Sequence, residues 1–212
     1  MSSPVIQQVD HLVYATRDVD VSCAELEKLL GVRASEGGQH PGRGTRNALI
    51  AIGQTTYLEI IGPDWGQPEP IEPRMFGIDR IDRSGLVTWA AKSPDLKNVV
   101  AKAAKAGVQL GKIGSGSRCR ADGVTLNWKF TDPGTVVLDG LVPFFIDWGS
   151  EPHPAVTAVR GPDLVALRAE HPDPAHAMSV LRTLGLNLEV SAASRPALVA
   201  TFQTERGPVT LY

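Results

Sequence analysis

The chain has 212 residues, 42% of them hydrophobic and 21% charged, with a formal charge of −2. That balance suits a soluble protein of one domain or a tightly joined pair, with core enough to fold without disulfide or metal staples. It excludes the basic footprint of a nucleic-acid binder, and no apolar run approaches the ~18 residues of a membrane span.

Met1 to Gln8 lacks the basic and apolar segments of a signal peptide. Cys23 and Cys119 have no metal-binding spacing, so a reducing, cytoplasmic setting is expected. Val9 to Thr16 is rich in β-branched and aromatic residues and reads as a strand carrying His11. Asp18 and Asp20 mark a turn. Ser22-Cys-Ala-Glu25 fits a capping box, Leu26, Leu29 and Leu30 share one helical face, and Gly31 supplies the left-handed stop. Val32 to Ser35 reads as a short strand and 36–45 as a glycine-rich loop. Asn47 to Ile52 and Thr55 to Ile61 form a hairpin around Gly53-Gln54. The unit is therefore β-α-β-β-β.

A proline-rich linker follows, from Gly62 to Ser84, with Trp65, Met75 and Phe76 as its expected anchors. The same order then returns. Gly85 to Ala91 is strand-like, Asp95 caps a helix over 96–106, and Leu96, Val99, Val100 and Ala103 form its buried stripe. Val108 to Ile113 reads as a strand, Gly114 to Ser117 as a loop, and 124–131 alternates as a half-buried strand. The last strand lies within 135–148. A third, more eroded copy starts at Asp163, has proline in the first turn of its helix, and passes Gly185. Periodic self-similarity of this kind marks a repeated supersecondary unit. A lone β-α-β-β-β unit leaves a sheet edge and face uncovered, so two units are expected to close around a cup, with the third extending the sheet or covering an edge.

Several residues could carry chemistry. Glu59 sits between Leu58 and Ile60, and an inward carboxylate there is costly unless paired. His40, in the glycine-rich loop, could fold over the mouth as a ligand, acid or base, or stay a mobile surface residue. Arg43 and Arg46 could hold an anionic group, and Asn47 could orient a carbonyl. Trp128 and Phe130 share a face, which Trp89 and Phe144 could approach, as a ligand wall or as ordinary core. Arg118 and Arg120 suggest a mobile segment opposite His40. His153, His171 and His176 read as surface or capping residues.

Val9-Asp-His-Leu-Val-Tyr-Ala, the Gly37 to Asn47 loop, Tyr57-Leu-Glu-Ile-Ile-Gly-Pro63, and Pro143 to Trp148 followed by His153-Pro154 resemble a glyoxalase-like domain. That family lies within the vicinal oxygen chelate superfamily. The resemblance covers residues 9–154 and leaves 155–212 as a third unit packed on it. It implies an α+β fold of repeated β-α-β-β-β units, two forming a cup-shaped mixed sheet with the third at the C-terminus. It also implies a divalent metal, Zn, Ni, Mn or Fe, held by His11 and Glu59. The second half offers Gly85 to Trp89 where another histidine is expected, and only Asp147 in its last strand.

The leading expectation is a small-molecule enzyme of isomerase, lyase or dioxygenase type. Glu59 and His40 would act as catalytic groups, and Asn47, Arg46, Trp89, Trp128, Phe130 and Phe144 would bind substrate. The alternative is a metal-free protein that sequesters a hydrophobic compound or antibiotic. A third reading is a scaffold whose extra unit builds a homodimer surface.

Overall fold

The computed structural model describes residues 5–119 and 123–212. In the first unit, a short helix α1 (Val5–Gln8) leads into β1 (Val9–Ala15), α2 (Val19–Leu30), β2 (Ser35–His40), β3 (Thr45–Gly53) and β4 (Thr56–Pro63). The second unit has β5 (Gly85–Lys92), α3 (Leu96–Lys105), β6 (Ile113–Cys119), β7 (Thr125–Thr131) and β8 (Phe144–Asp147). A two-residue strand β9 (Val159–Arg160) precedes the third unit: β10 (Asp163–His171), α4 (Pro174–Thr183), β11 (Glu189–Ala192), β12 (Ala197–Thr204) and β13 (Gly207–Leu211).

Units one and two share one topology. The first strand of each runs parallel to its fourth, and the third strand pairs antiparallel with the fourth and the second. β1 and β5 join the units antiparallel, and Gln39 of β2 meets Cys119 of β6 at the far side. Eight strands thus form a closed ring, and β9 adds beside β3. Glycine makes the far closure possible. A β-carbon at Gly38 would collide with the carbonyl of Cys119, and Gly38 sits at a φ of 147° that disfavours other residues.

Strand alternation divides the side chains between two cores. Leu12, Tyr14, Leu58, Ile60, Ile50 and Trp89 point outward. There they meet Leu26 and Leu30 of α2, Leu96 and Ala103 of α3, and the third unit's Leu164, Leu167 and Phe202. Truncating one of these buried leucines to alanine would cost about 2–5 kcal/mol. Val13, Ala15, Ile61, Ala90, Phe144 and Ile146 point inward, where Ile78 of the linker covers them.

The helices begin and end as their chemistry dictates, with one correction. Asp18, not Ser22, caps α2 by accepting from the Asp20 and Val21 N–H groups, an effect worth about 1 kcal/mol. Ser22 is buried inside the helix and donates to Thr16 Oγ1. Asp95 and Asp173 cap α3 and α4 in the same way. Gly31, Gly107 and Gly185 all take the left-handed conformation.

Two expected loops are strands. Residues 35–40 pair with β3, leaving 31–34 irregular, and residues 113–119 pair with β7, leaving 108–112 irregular. Glycine and serine weaken strand propensity, but ring closure supplies both segments with ladder partners. The third unit has the expected element order and pairs differently. Its first strand lies between the second and third, in a separate four-stranded sheet packed on the outer core. Among the described residues no helix is long and apolar enough to cross a membrane.

Candidate functional site

The ring encloses a cavity of about 240 Å3. Inward positions of β1, β3, β4, β7 and β8 deliver His11, Asn47, Tyr57, Glu59, Trp128, Phe130 and Phe144 to its wall. His40, at the end of β2, reaches the same wall and is buried.

His11 has a defined tautomer. Its Nδ1 lies 2.8 Å from Asp10 Oδ1. The Asp10 carboxylate also accepts from Trp148 Nε1 at 3.2 Å and meets His153 Nε2 at 3.2 Å. His153 Nδ1 accepts from the Ala155 N–H, so its proton sits on Nε2 and points at Asp10. Burial opposes ionisation of Asp10, but these hydrogen bonds and the nearby imidazoles outweigh it and hold the carboxyl well below the usual range. An ionised Asp10 accepts a hydrogen bond from His11 Nδ1–H, which leaves the Nε2 lone pair free. That nitrogen lies 3.8 Å from Glu59 Oε2. The ring is stacked on Tyr57, with centroids 4.6 Å apart, and has Phe144 at its edge.

Strict alternation would send Asp10 away from His11. The pairing of β1 with β5 slips between Val9 and His11, however, and both side chains turn in together.

A second cluster faces this dyad. Asn47 Nδ2 donates to Glu59 Oε1 at 2.5 Å and lies 3.5 Å from His40 Nε2. His40 Nδ1 bonds Thr45 Oγ1. Burial, reinforced by Arg118 and Arg43 and opposed by Glu59, lowers the His40 pKa to about 4, so the ring is neutral near pH 7. Burial first, then Glu59 and Asp10, raise the Tyr57 phenol well above its usual value. Asn47 has room because Gly37 stands opposite, where a β-carbon would strike its amide oxygen. Arg74 fastens the linker over the mouth by donating to the Gly44 carbonyl and pairing with Glu69 and Asp79. This lets Met75 and Phe76 line the cavity, whereas Trp65 is 77% exposed.

Two expected substrate contacts lie elsewhere. Trp89 is fully buried in the outer core, donating to the Leu141 carbonyl, because its strand position has the opposite parity to Ala90. Arg46 points outward to Asp20, 2.7 Å away, while Arg43 on the turn lines the cavity instead. Arg118 is buried on the wall, and Arg120 lies outside the described residues. Asp10, Tyr57, Trp148 and His153 are on or behind the wall as well, beyond the residues the sequence singles out for the site. Only the adjacency of Asp10 to His11 hinted at one of them.

The second half of the ring lacks the counterpart of this polar floor. Thr88 precedes the cap Asp95 by the same interval as His11 precedes Asp18, so Thr88, not Gly85, is the matching position. Its hydroxyl donates to the Gly140 carbonyl. Phe144 pairs with Ala90 as Glu59 pairs with Val13. Asp147 is not on the wall; it accepts from the Gly149 N–H. Thr88 instead lines an adjoining apolar lobe of about 190 Å3 with Val87, Val136 and Val142, separated from the main cavity by Phe76 and Phe144.

A divalent metal fits poorly here. A catalytic site normally takes three protein ligands. The two halves contribute His11 and Glu59 on one side and Thr88 and Phe144 on the other. Among the described residues no group of three or more His, Cys, Asp and Glu side chains is arranged to hold an ion. Glu59 is engaged by Asn47, and cationic Arg118 shares the wall.

A sequence model of the glyoxalase-like domain family matches residues 9–185. No curated protein sequence matches the chain. Among solved structures, a hypothetical protein from Staphylococcus aureus is similar with a TM-score of 0.62 at 13% identity, over 95% of this chain and 83% of that one. Methylmalonyl-CoA epimerase from Mycobacterium tuberculosis aligns with a TM-score of 0.42 at 17% identity, over 69% of this chain and 91% of that one.

Proposed function

The chain belongs to the glyoxalase-like domain family, and on that footing we propose that it is a small-molecule enzyme that moves a proton at a carbon next to a carbonyl. The observation carrying this reading is the Asp10–His11 pair, whose free Nε2 faces the cavity inside the ring. His11 takes the proton from the C–H bond, and the bonding electrons pass to the carbonyl oxygen as an enolate. The proton then returns to the same carbon, which gives epimerisation; where that carbon bears a hydroxyl, the hydroxyl proton shifts to the enolate oxygen and the carbon-bound proton goes to the former carbonyl carbon, which gives isomerisation. Glu59, 3.8 Å from Nε2, is the second proton station. The donor set supports proton transfer by side chains rather than through a bound metal.

The test is hydrogen exchange in deuterium oxide, followed by NMR over a panel of hydroxyketones, 2-keto compounds and β-dicarbonyls. Loss of a C–H signal that depends on His11 is expected, with rates unaffected by chelator. Equal exchange in the wild type and His11→Gln would sink the proposal, as would stoichiometric metal lost in that variant. A ligand bound and released with no exchange would favour the second reading, a sequestering protein. The wall of Trp128, Trp148, Phe130 and Phe144 supports that alternative.

A further inference from the structure

Arg118 is a buried cation with spare donors. It is 3% exposed and lines the cavity from β6. Among the described residues its Nε has no hydrogen-bond partner, and its Nη1 reaches Asn47 Oδ1 at 3.4 Å. Among the described residues no carboxylate lies within ion-pairing distance of it. The nearest acid in the network, Glu59, is reached only through Asn47, whose amide nitrogen faces Glu59 and whose oxygen faces Arg118. A buried guanidinium left this way forfeits hydrogen bonds that water would supply, a cost of several kcal/mol per ion. Such a group is stabilised by a ligand that brings the missing acceptor atoms.

From this geometry we infer that the substrate is a carboxylate, gripped by Arg118 through its free N–H groups, with its apolar remainder against Phe130 and Phe144. A planar carboxylate accepts two parallel N–H bonds from one guanidinium edge. One negative charge balances one cation. A phosphate dianion would add a second charge close to Glu59, so the monoanion is the better match. The aromatic residues leave the rest of the molecule an apolar path toward the lobe beyond Phe144. This inference rests on the cavity being a small-molecule site; it does not depend on the proton-transfer step.

The experiment uses the whole protein and the fluorescence of Trp128 and Trp148, both on the wall. Phenylacetate, phenylacetamide and phenyl phosphate are titrated in parallel. Phenylacetate is expected to bind saturably and at least about tenfold more tightly than the amide, the ratio that a charged hydrogen bond of about 1.5–3 kcal/mol supplies. Arg118→Gln should abolish that preference, and Arg118→Lys, which keeps the charge but not the fork, should retain only part of it. In His11→Gln the acid should still bind more tightly than the amide. That separates the two proposals: a carboxylate preference that survives while exchange is absent leaves this inference standing without the enzyme. Equal affinity for acid and amide, tighter binding of phenyl phosphate, or absence of binding by all three probes overturns it. The acid–amide comparison needs only the wild type, so a variant that fails to fold leaves the test intact.

Discussion

The two halves of the ring have the same strand order, the same helix caps and the same approach of first strand to fourth, yet their floors differ in kind. The first half presents His11, Glu59, Asn47 and His40; hydrogen bonds link the last three, and Asp10 backs His11. The second presents Thr88 and Phe144 at the matching positions, with valines around them. Backbone geometry cannot account for that, because it is shared. The difference lies in which side chain occupies each inward position and in what satisfies it. Thr88 is satisfied by a carbonyl within its own half, whereas His11 and Glu59, each held at one end by Asp10 or Asn47, line the cavity. One half of the cup is therefore suited to chemistry, and the other to shape.

The contrast can be broken most sharply at His11. His11→Gln is expected to slow C–H exchange about 10²–10⁴-fold, the usual contribution of a general base. Acid sensitivity should also concentrate in the first half. His40 has a folded pKa of about 4 against 6.5 in the unfolded chain, so its neutral form contributes stability fully above pH 6.5. That contribution is lost as pH falls from 6.5 to 4 and amounts to on the order of 3 kcal/mol. Urea titrations across this window should show the slope in the wild type and not in His40→Gln. Asp10, also held low, adds its own loss only below the usual carboxylate range of about 4.

Asp10→Asn sharpens the comparison further. An amide in place of the carboxylate no longer requires the proton on His11 Nδ1, and a fall in exchange rate of about 10–100-fold is expected. Binding of phenylacetate should be unaffected, which marks Asp10 as a positioning residue. The smallest effect belongs to the second half. Thr88→Val removes the bond to the Gly140 carbonyl and should cost about 1 kcal/mol in a urea midpoint, leaving exchange unchanged. An exchange defect in that variant would mean that the halves are not as separate as their floors suggest.

Much of the first half was legible in the linear chain. The alternation Tyr57, Glu59, Ile61 against Leu58, Ile60 assigns a carboxylate to an inner face, and His11 follows from the neighbouring strand. The rest depended on register. Trp89 and Arg46 belong to types that line ligand sites, but one residue of parity turns each to the other face. Serine- and glycine-rich segments read as loops because their pairing partners lie far along the chain.

What the sequence by itself determined is the set of local elements: three capped and glycine-stopped helices, hairpin strands, and the duplicated β-α-β-β-β order. These follow from propensity, periodicity and capping, which act over a few residues. Only the tertiary structure decided that Asp10 turns in beside His11 through a slip in register, and that His153 reaches it from 143 positions away. It likewise decided that Arg118 comes to Asn47, 71 positions away. Those contacts exist because the ring closes at Gln39 and Cys119 and the linker folds over the mouth. Closure of a sheet is a property of all its strands together, so no single stretch of sequence encodes it.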